Sequence, residues 1–146
     1  MRITSKLFLV STVFFCEISF AQNNIQKAIF NACEASAKDY SGYAWAVAQV
    51  SKEIKSELNL ERKNLMLSKM LSDMESIKDR EFTKLEKFRD SVRSSDFEKR
   101  AYDDVYFSTY RQNLEYALAI GMNKLDYTEV RFKLDIESDC KKRLFK

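Results

Sequence analysis

The 146-residue chain contains no histidine and no proline, and only two glycines, Gly42 and Gly121. Without histidine there is no Ser/His or Cys/His nucleophilic pair and no imidazole zinc site. The side chain that ordinarily titrates near neutrality is also missing. Two isolated glycines exclude the Gly-rich loops that cradle phosphates. With so few helix breakers, helices should run long. Acidic pairs such as Asp103-Asp104 and Glu137 with Asp139 lack EF-hand spacing and a glycine turn. No metal and no cofactor is expected.

What is present begins with the first 21 residues, which read as a secretory signal peptide. Arg2 and Lys6 form a basic start, and residues 7–16 form an apolar run interrupted only by Ser11 and Thr12. Ser19-Phe20-Ala21 then offers small residues at the two positions a signal peptidase inspects. The run is too short for a bilayer span, which needs roughly 20 apolar residues. Bulky Val13-Phe14-Phe15 before Cys16 does not fit a lipoprotein site. The expected mature product is a single domain of 125 residues starting at Gln22, periplasmic or secreted, with no stable membrane insertion.

Cleavage would remove Arg2, Lys6 and Glu17, leaving 23 basic and 21 acidic residues, a net charge of +2. The two signs alternate along the chain, so nothing points to nucleic acid. No polybasic cluster marks an anionic membrane surface. Cys16 would leave with the leader, so Cys33 and Cys140 remain as an even pair in an oxidising compartment. One disulfide is expected, with two buried free thiols as the alternative.

Four helices are expected. The first runs from about Asn24 to Leu58, with Ile25, Ile29, Ala32, Ser36, Tyr43, Val47, Val50, Ile54 and Leu58 on one stripe. Gly42 to Val50 carries no charge and is rich in alanine, so neighbouring helices should approach closest there. A second helix, Leu60 to Val92, is capped by Asn59 and carries Leu67, Met74, Glu81 and Phe88 seven apart. That spacing suggests coiled-coil-like packing. The third opens on the capping box Ser95-Asp96-Phe97-Glu98 and ends near Ile120, with Gly121 as its stop signal.

The last segment carries two signals. Asp126-Tyr127-Thr128-Glu129 fits another capping box, whereas residues 130–137 alternate strictly, as a half-buried strand does. A lone two-stranded ribbon is marginal, and helix is preferred. Short connections favour an all-α, up-down-up-down four-helix bundle. In that topology Cys33 and Cys140 meet at one pole.

Three features could carry function. Glu81 occupies a core heptad position, where burial would raise its pKa and suit it to general-acid work. The plain reading is a solvated seam beside Lys78 or Lys84. Tyr102, Tyr106 and Tyr110 form a stripe that suits a binding face, or a core edge with hydroxyls at its boundary. Trp45, the only tryptophan, points away from the main stripe, as an interface anchor or packed against a neighbour. The preferred expectation is a binding module of the cell envelope, an inhibitor or immunity-type protein. It would engage another envelope protein through Trp45, Tyr102, Tyr106 and Tyr110. The alternative is a carboxylate-dependent hydrolase of cell-wall glycan using Glu81.

Overall fold

The computed structural model describes the backbone of residues 4–92 and 96–144, and the side chains of 23–92, 96 and 99–144. The signal-peptide reading of residues 1–21, Cys16 included, rests on side chains outside the described residues. The side chains of Ser95, Phe97 and Glu98, from the capping box of the third helix, also lie outside the described residues.

Four helices make up the described residues: α1 (Thr4–Ser56), α2 (Leu60–Val92), α3 (Phe97–Asn123) and α4 (Glu129–Leu144). Helix α1 passes through Gly42 without interruption. Asn59 caps α2 as its spacing implies, its Oδ1 accepting the Arg62 N–H at 2.9 Å. Asp96 opens α3, with its Oδ1 3.4 Å from the Lys99 N–H.

Two helix ends differ from expectation. The cap of α4 is Thr128 rather than Asp126: its Oγ1 accepts the Arg131 N–H at 3.2 Å and its carbonyl accepts that of Phe132 at 3.0 Å. Asp126 instead pairs with Lys52 of α1 at 3.0 Å. Helix α3 does not stop at Gly121 but continues to Asn123, and no described residue has positive φ. Gly121 serves close approach rather than termination. A β-carbon there would lie 2.5 Å from the Ala44 carbonyl oxygen and 2.9 Å from Val47 Cβ. The charge-free alanine window of α1 is thus a point of close helix contact, in line with its composition.

Segment 130–137 is helical, not a strand. Phe132, Ile136 and Cys140 are fully buried, and their four-residue spacing puts them on one helix face. Val130 and Leu134, which an alternating strand would place on the same side as Phe132 and Ile136, are exposed.

The topology is up-down-up-down. Contacts along α1 and α3 advance together, Asp39 with Tyr110, then Ala44 and Val47 with Gly121, so these helices are parallel. They form the most intimate pair of the bundle. Helix α2 runs antiparallel along one side, with Tyr43 opposite Glu81 and Ser51 opposite Met70. Helix α4 runs antiparallel along the other, and α2 and α4 share no contact among the described residues.

Packing is uneven around this central pair. Only Met70 and Met74 of α2 are buried, and Leu67, Leu71, Phe88 and Val92 are exposed. The expected heptad seam is therefore only partly covered. Ile25 and Val50 of α1 also fall outside the core, as does Leu58, which lies beyond the end of α1 in the α1–α2 turn at 98 % exposure. The C-terminal half of α3 and the inner face of α4 are covered far better, through Leu114, Ala117, Leu118 and Phe132.

The expected disulfide joins Cys33 to Cys140, both fully buried, with Cα atoms 5.6 Å apart across a separation of 107 residues. For loops of this length the chain-entropy model gives about 4–5 kcal/mol of stabilisation. Beside it lies a buried polar layer. Asn113, fully buried, donates to Ser36 Oγ at 2.7 Å and accepts from Arg143 Nη2 at 2.7 Å. The Ser36 hydroxyl donates in turn to the Ala32 carbonyl, and Arg143 is held by Asp139. Three helices are thereby tied at the disulfide pole.

Candidate binding cleft

One turn of α1, two turns of α2 and one turn of α3 build a cleft of about 330 Å³. Helix α1 supplies Asp39, Tyr40 and Tyr43, and α3 supplies Tyr106, Phe107 and Tyr110. Helix α2 adds Glu81, Lys84, Leu85 and Phe88, all on one face. The local cause is a change in side-chain size along the central pair. At Ala44 and Gly121 the two backbones approach closely, whereas Tyr40, one turn earlier on α1, faces Tyr110, three turns earlier on α3. Their rings meet edge to face at 5.6 Å.

Rings form most of the wall. Tyr106 lies 5.2 Å from Tyr110 and 5.8 Å from Phe107, and Phe107 meets Phe88 at 5.8 Å. Four of the chain's seven tyrosines line this one space. Two of the four hydroxyls are anchored: Tyr110 donates to Asp39 Oδ2 at 2.8 Å, and Tyr43 donates to Glu81 Oε1 at 3.0 Å. Tyr43 also accepts from Arg80 Nη2 at 3.0 Å.

Burial pushes the Tyr40 phenol well above its ordinary pKa, and the negative charges of Glu81 and Asp39 push it further. Burial likewise raises Tyr110, reinforced by its hydrogen bond to Asp39. Both rings stay neutral at physiological pH and cannot act as phenolate nucleophiles.

Glu81 departs from its expected electrostatics. Burial alone would raise its pKa, but hydrogen bonds from Lys84, Tyr43 and Arg80 together hold it below the ordinary carboxylate range. Lys84 Nζ stands at 2.9 Å and Arg80 Nε at 3.2 Å. A carboxyl kept ionised in this way has no proton to donate near neutrality. Its chemistry is that of an anchor joining α1 to α2.

The sequence-derived candidates are therefore divided. Tyr106, Tyr110 and Glu81, read as separate features, come together in one cleft. Tyr102 lies outside its lining, one turn before Tyr106 on α3, with its hydroxyl 3.4 Å from Asn31 Nδ2. Trp45 is 44 % exposed but does not join them. Two residues beyond Tyr43 on a helix, it points about 200° away. Tyr40, Tyr43, Asp39, Phe88 and Phe107 were not singled out from sequence. The usable signal was the pair Tyr40/Tyr43 on α1 matching the Tyr106/Tyr110 pair on α3.

Among the described residues no group of His, Cys, Asp or Glu side chains could hold a metal ion, and no helix is long and apolar enough to cross a membrane. No family model, no curated protein and no solved structure matches the chain.

Proposed function

We propose that the chain is an exported binding protein of the cell envelope, an inhibitor or immunity-type module, whose tyrosine cleft seats a protruding segment of another envelope protein. The observation that carries this reading is the cleft itself, with ring walls contributed by three helices and the Tyr43 and Tyr110 hydroxyls held by Glu81 and Asp39. Concave, aromatic-lined sites of this size suit a single anchoring side chain or short segment. Aromatic residues also supply most of the energy at protein interfaces. Rigidity favours the same use, because a wall fixed before binding costs little ordering entropy on contact. The Cys33–Cys140 closure and the Asn113–Arg143 layer supply that rigidity. Export is supported by the leader-like residues 1–21 and by the disulfide. Under this reading Trp45 belongs to a separate exposed face, and the cleft tyrosines are the principal contacts.

A direct comparison of native protein and Glu81→Gln on purified cell-wall glycan tests the reading against the hydrolase alternative. The expected result is no glycan release by either protein. Hydrolysis by the native chain that Glu81→Gln abolishes, with the helical fold retained, would overturn the binding reading. N-terminal sequencing of exported material should find Gln22 first, and Met1 on cytoplasmic protein would remove the envelope assignment.

A further inference from the structure

A second groove lies at the opposite end of the α1–α2 pair, and we infer that it binds an anionic amphiphile, a single acyl chain ending in a carboxylate. Its volume is about 340 Å³, within the range of small-ligand sites. The apolar lining comes from Ile54, Leu67, Met70, Met122 and Leu125. Methionine is unbranched and polarisable, so it adapts to a flexible chain. The lining continues beyond the groove as bare apolar surface on α2, where Leu60 is 71 % exposed and Leu71 is also exposed.

Charge identifies the headgroup. Lys55 and Lys63 both line the groove, and no acidic residue does. Of the neighbouring carboxylates, Asp126 is engaged by Lys52 at 3.0 Å and Glu57 by Arg62 at 3.4 Å, while Glu53 and Glu61 are exposed and lie outside the groove's lining. Among the described residues neither Lys55 nor Lys63 makes an ion pair. Two unpaired ammonium groups beside an apolar floor complement a chain with one anionic end, and would repel a cationic one. The lining also includes Asn123, whose Nδ2 gives one N–H to the Ala119 carbonyl at 3.0 Å and keeps a second for the headgroup, whereas the Ser51 hydroxyl is engaged by Met70 Sδ at 3.3 Å. This site rests on observations separate from the tyrosine cleft, so either can fail alone.

Calorimetric titration of the whole protein with monomeric dodecanoate, dodecanol and dodecyltrimethylammonium tests the inference. Dodecanoate should bind saturably at one site and more tightly than dodecanol, with the cationic ligand weakest. Lys55→Glu combined with Lys63→Glu should weaken dodecanoate at least about tenfold, the scale of a lost charge pair. The same variant should leave dodecanol little changed, and added salt should narrow the gap between the two ligands. Leu67→Asp, at an exposed position, should weaken both ligands while circular dichroism reports an intact fold. Absence of saturable dodecanoate binding would overturn the inference. So would equal affinity in the lysine variant, or binding only to anionic vesicles and not to the monomeric ligand.

Discussion

Gly121 of α3 sits against the backbone of Ala44 in α1, so close that a β-carbon would fall 2.5 Å from the Ala44 carbonyl oxygen. Gly42 presents the opposite case two residues earlier on α1. A β-carbon there would meet only Glu129 Oε1, at an ordinary 3.8 Å. Replacing either glycine with alanine gains about 1 kcal/mol of helix propensity, so space decides the sign. Gly42→Ala should stabilise the protein by about 0.5–1 kcal/mol. Gly121→Ala should destabilise it by about 1–3 kcal/mol through overpacking. Urea midpoints of the two variants measure this directly, and a stabilising Gly121→Ala would mean that α1 and α3 are not in contact at this level.

Helix-forming local signals were readable in the sequence because each has its own chemistry. The Asn59 cap, the Leu60 and Val92 limits of α2 and the pairing of Cys33 with Cys140 all follow from spacing and residue type. Gly121 was misread because a stop signal and a close-approach site look alike in one dimension. The heptads of α2 report that one face is apolar, not that a neighbour covers its whole length. Exposed Leu67 and Phe88 show the difference. The cleft was legible only in halves, since Tyr43 and Glu81 are 38 residues apart and Asp39 and Tyr110 are 71 apart. No local pattern encodes that distance.

The disulfide joins residues 107 positions apart. Cys140→Ser should lower stability by up to about 4–5 kcal/mol. Thiol titration of the unfolded, exported protein should find no free thiol, and uncleaved protein should show one, from Cys16.

Asn113 is fully buried and joins Ser36 to Arg143. Asn113→Leu should cost about 1–3 kcal/mol, because buried polar partners lose a hydrogen bond they cannot recover from water. Arg143→Met should cost less when combined with Asn113→Leu than the two single variants added together. Strict additivity in the double-mutant cycle would show that the two side chains do not act as one unit.

Glu81 makes stability depend on pH in a defined direction. Its folded pKa is lowered by Lys84, Tyr43 and Arg80, which together outweigh burial. A carboxylate of this kind stabilises the fold above its unfolded pKa, and the contribution disappears as pH falls through the folded value. The stability gap between native protein and Glu81→Gln should be largest near neutrality and shrink in acid. A gap that grew on acidification would assign Glu81 the raised pKa of a general acid.

Trp45 is the only tryptophan and is 44 % exposed. Its emission should be red-shifted in the free protein, and Trp45→Ala should change stability by no more than about 1 kcal/mol. Blue emission would place the ring in a packed interface.

Tyrosine-cleft recognition is tested most directly by quantitative affinity capture from envelope extract with three immobilised proteins: native, Tyr106→Ala and Trp45→Ala. Tyr106 is only partly buried, so its truncation should leave the fold intact by circular dichroism. A protein enriched by the native chain should be retained by Trp45→Ala. Tyr106→Ala should bind it at least roughly 30-fold more weakly, the scale of an interface hot spot. Equal capture by Tyr106→Ala, or loss only with Trp45→Ala, would contradict the assignment of the cleft as the recognition surface.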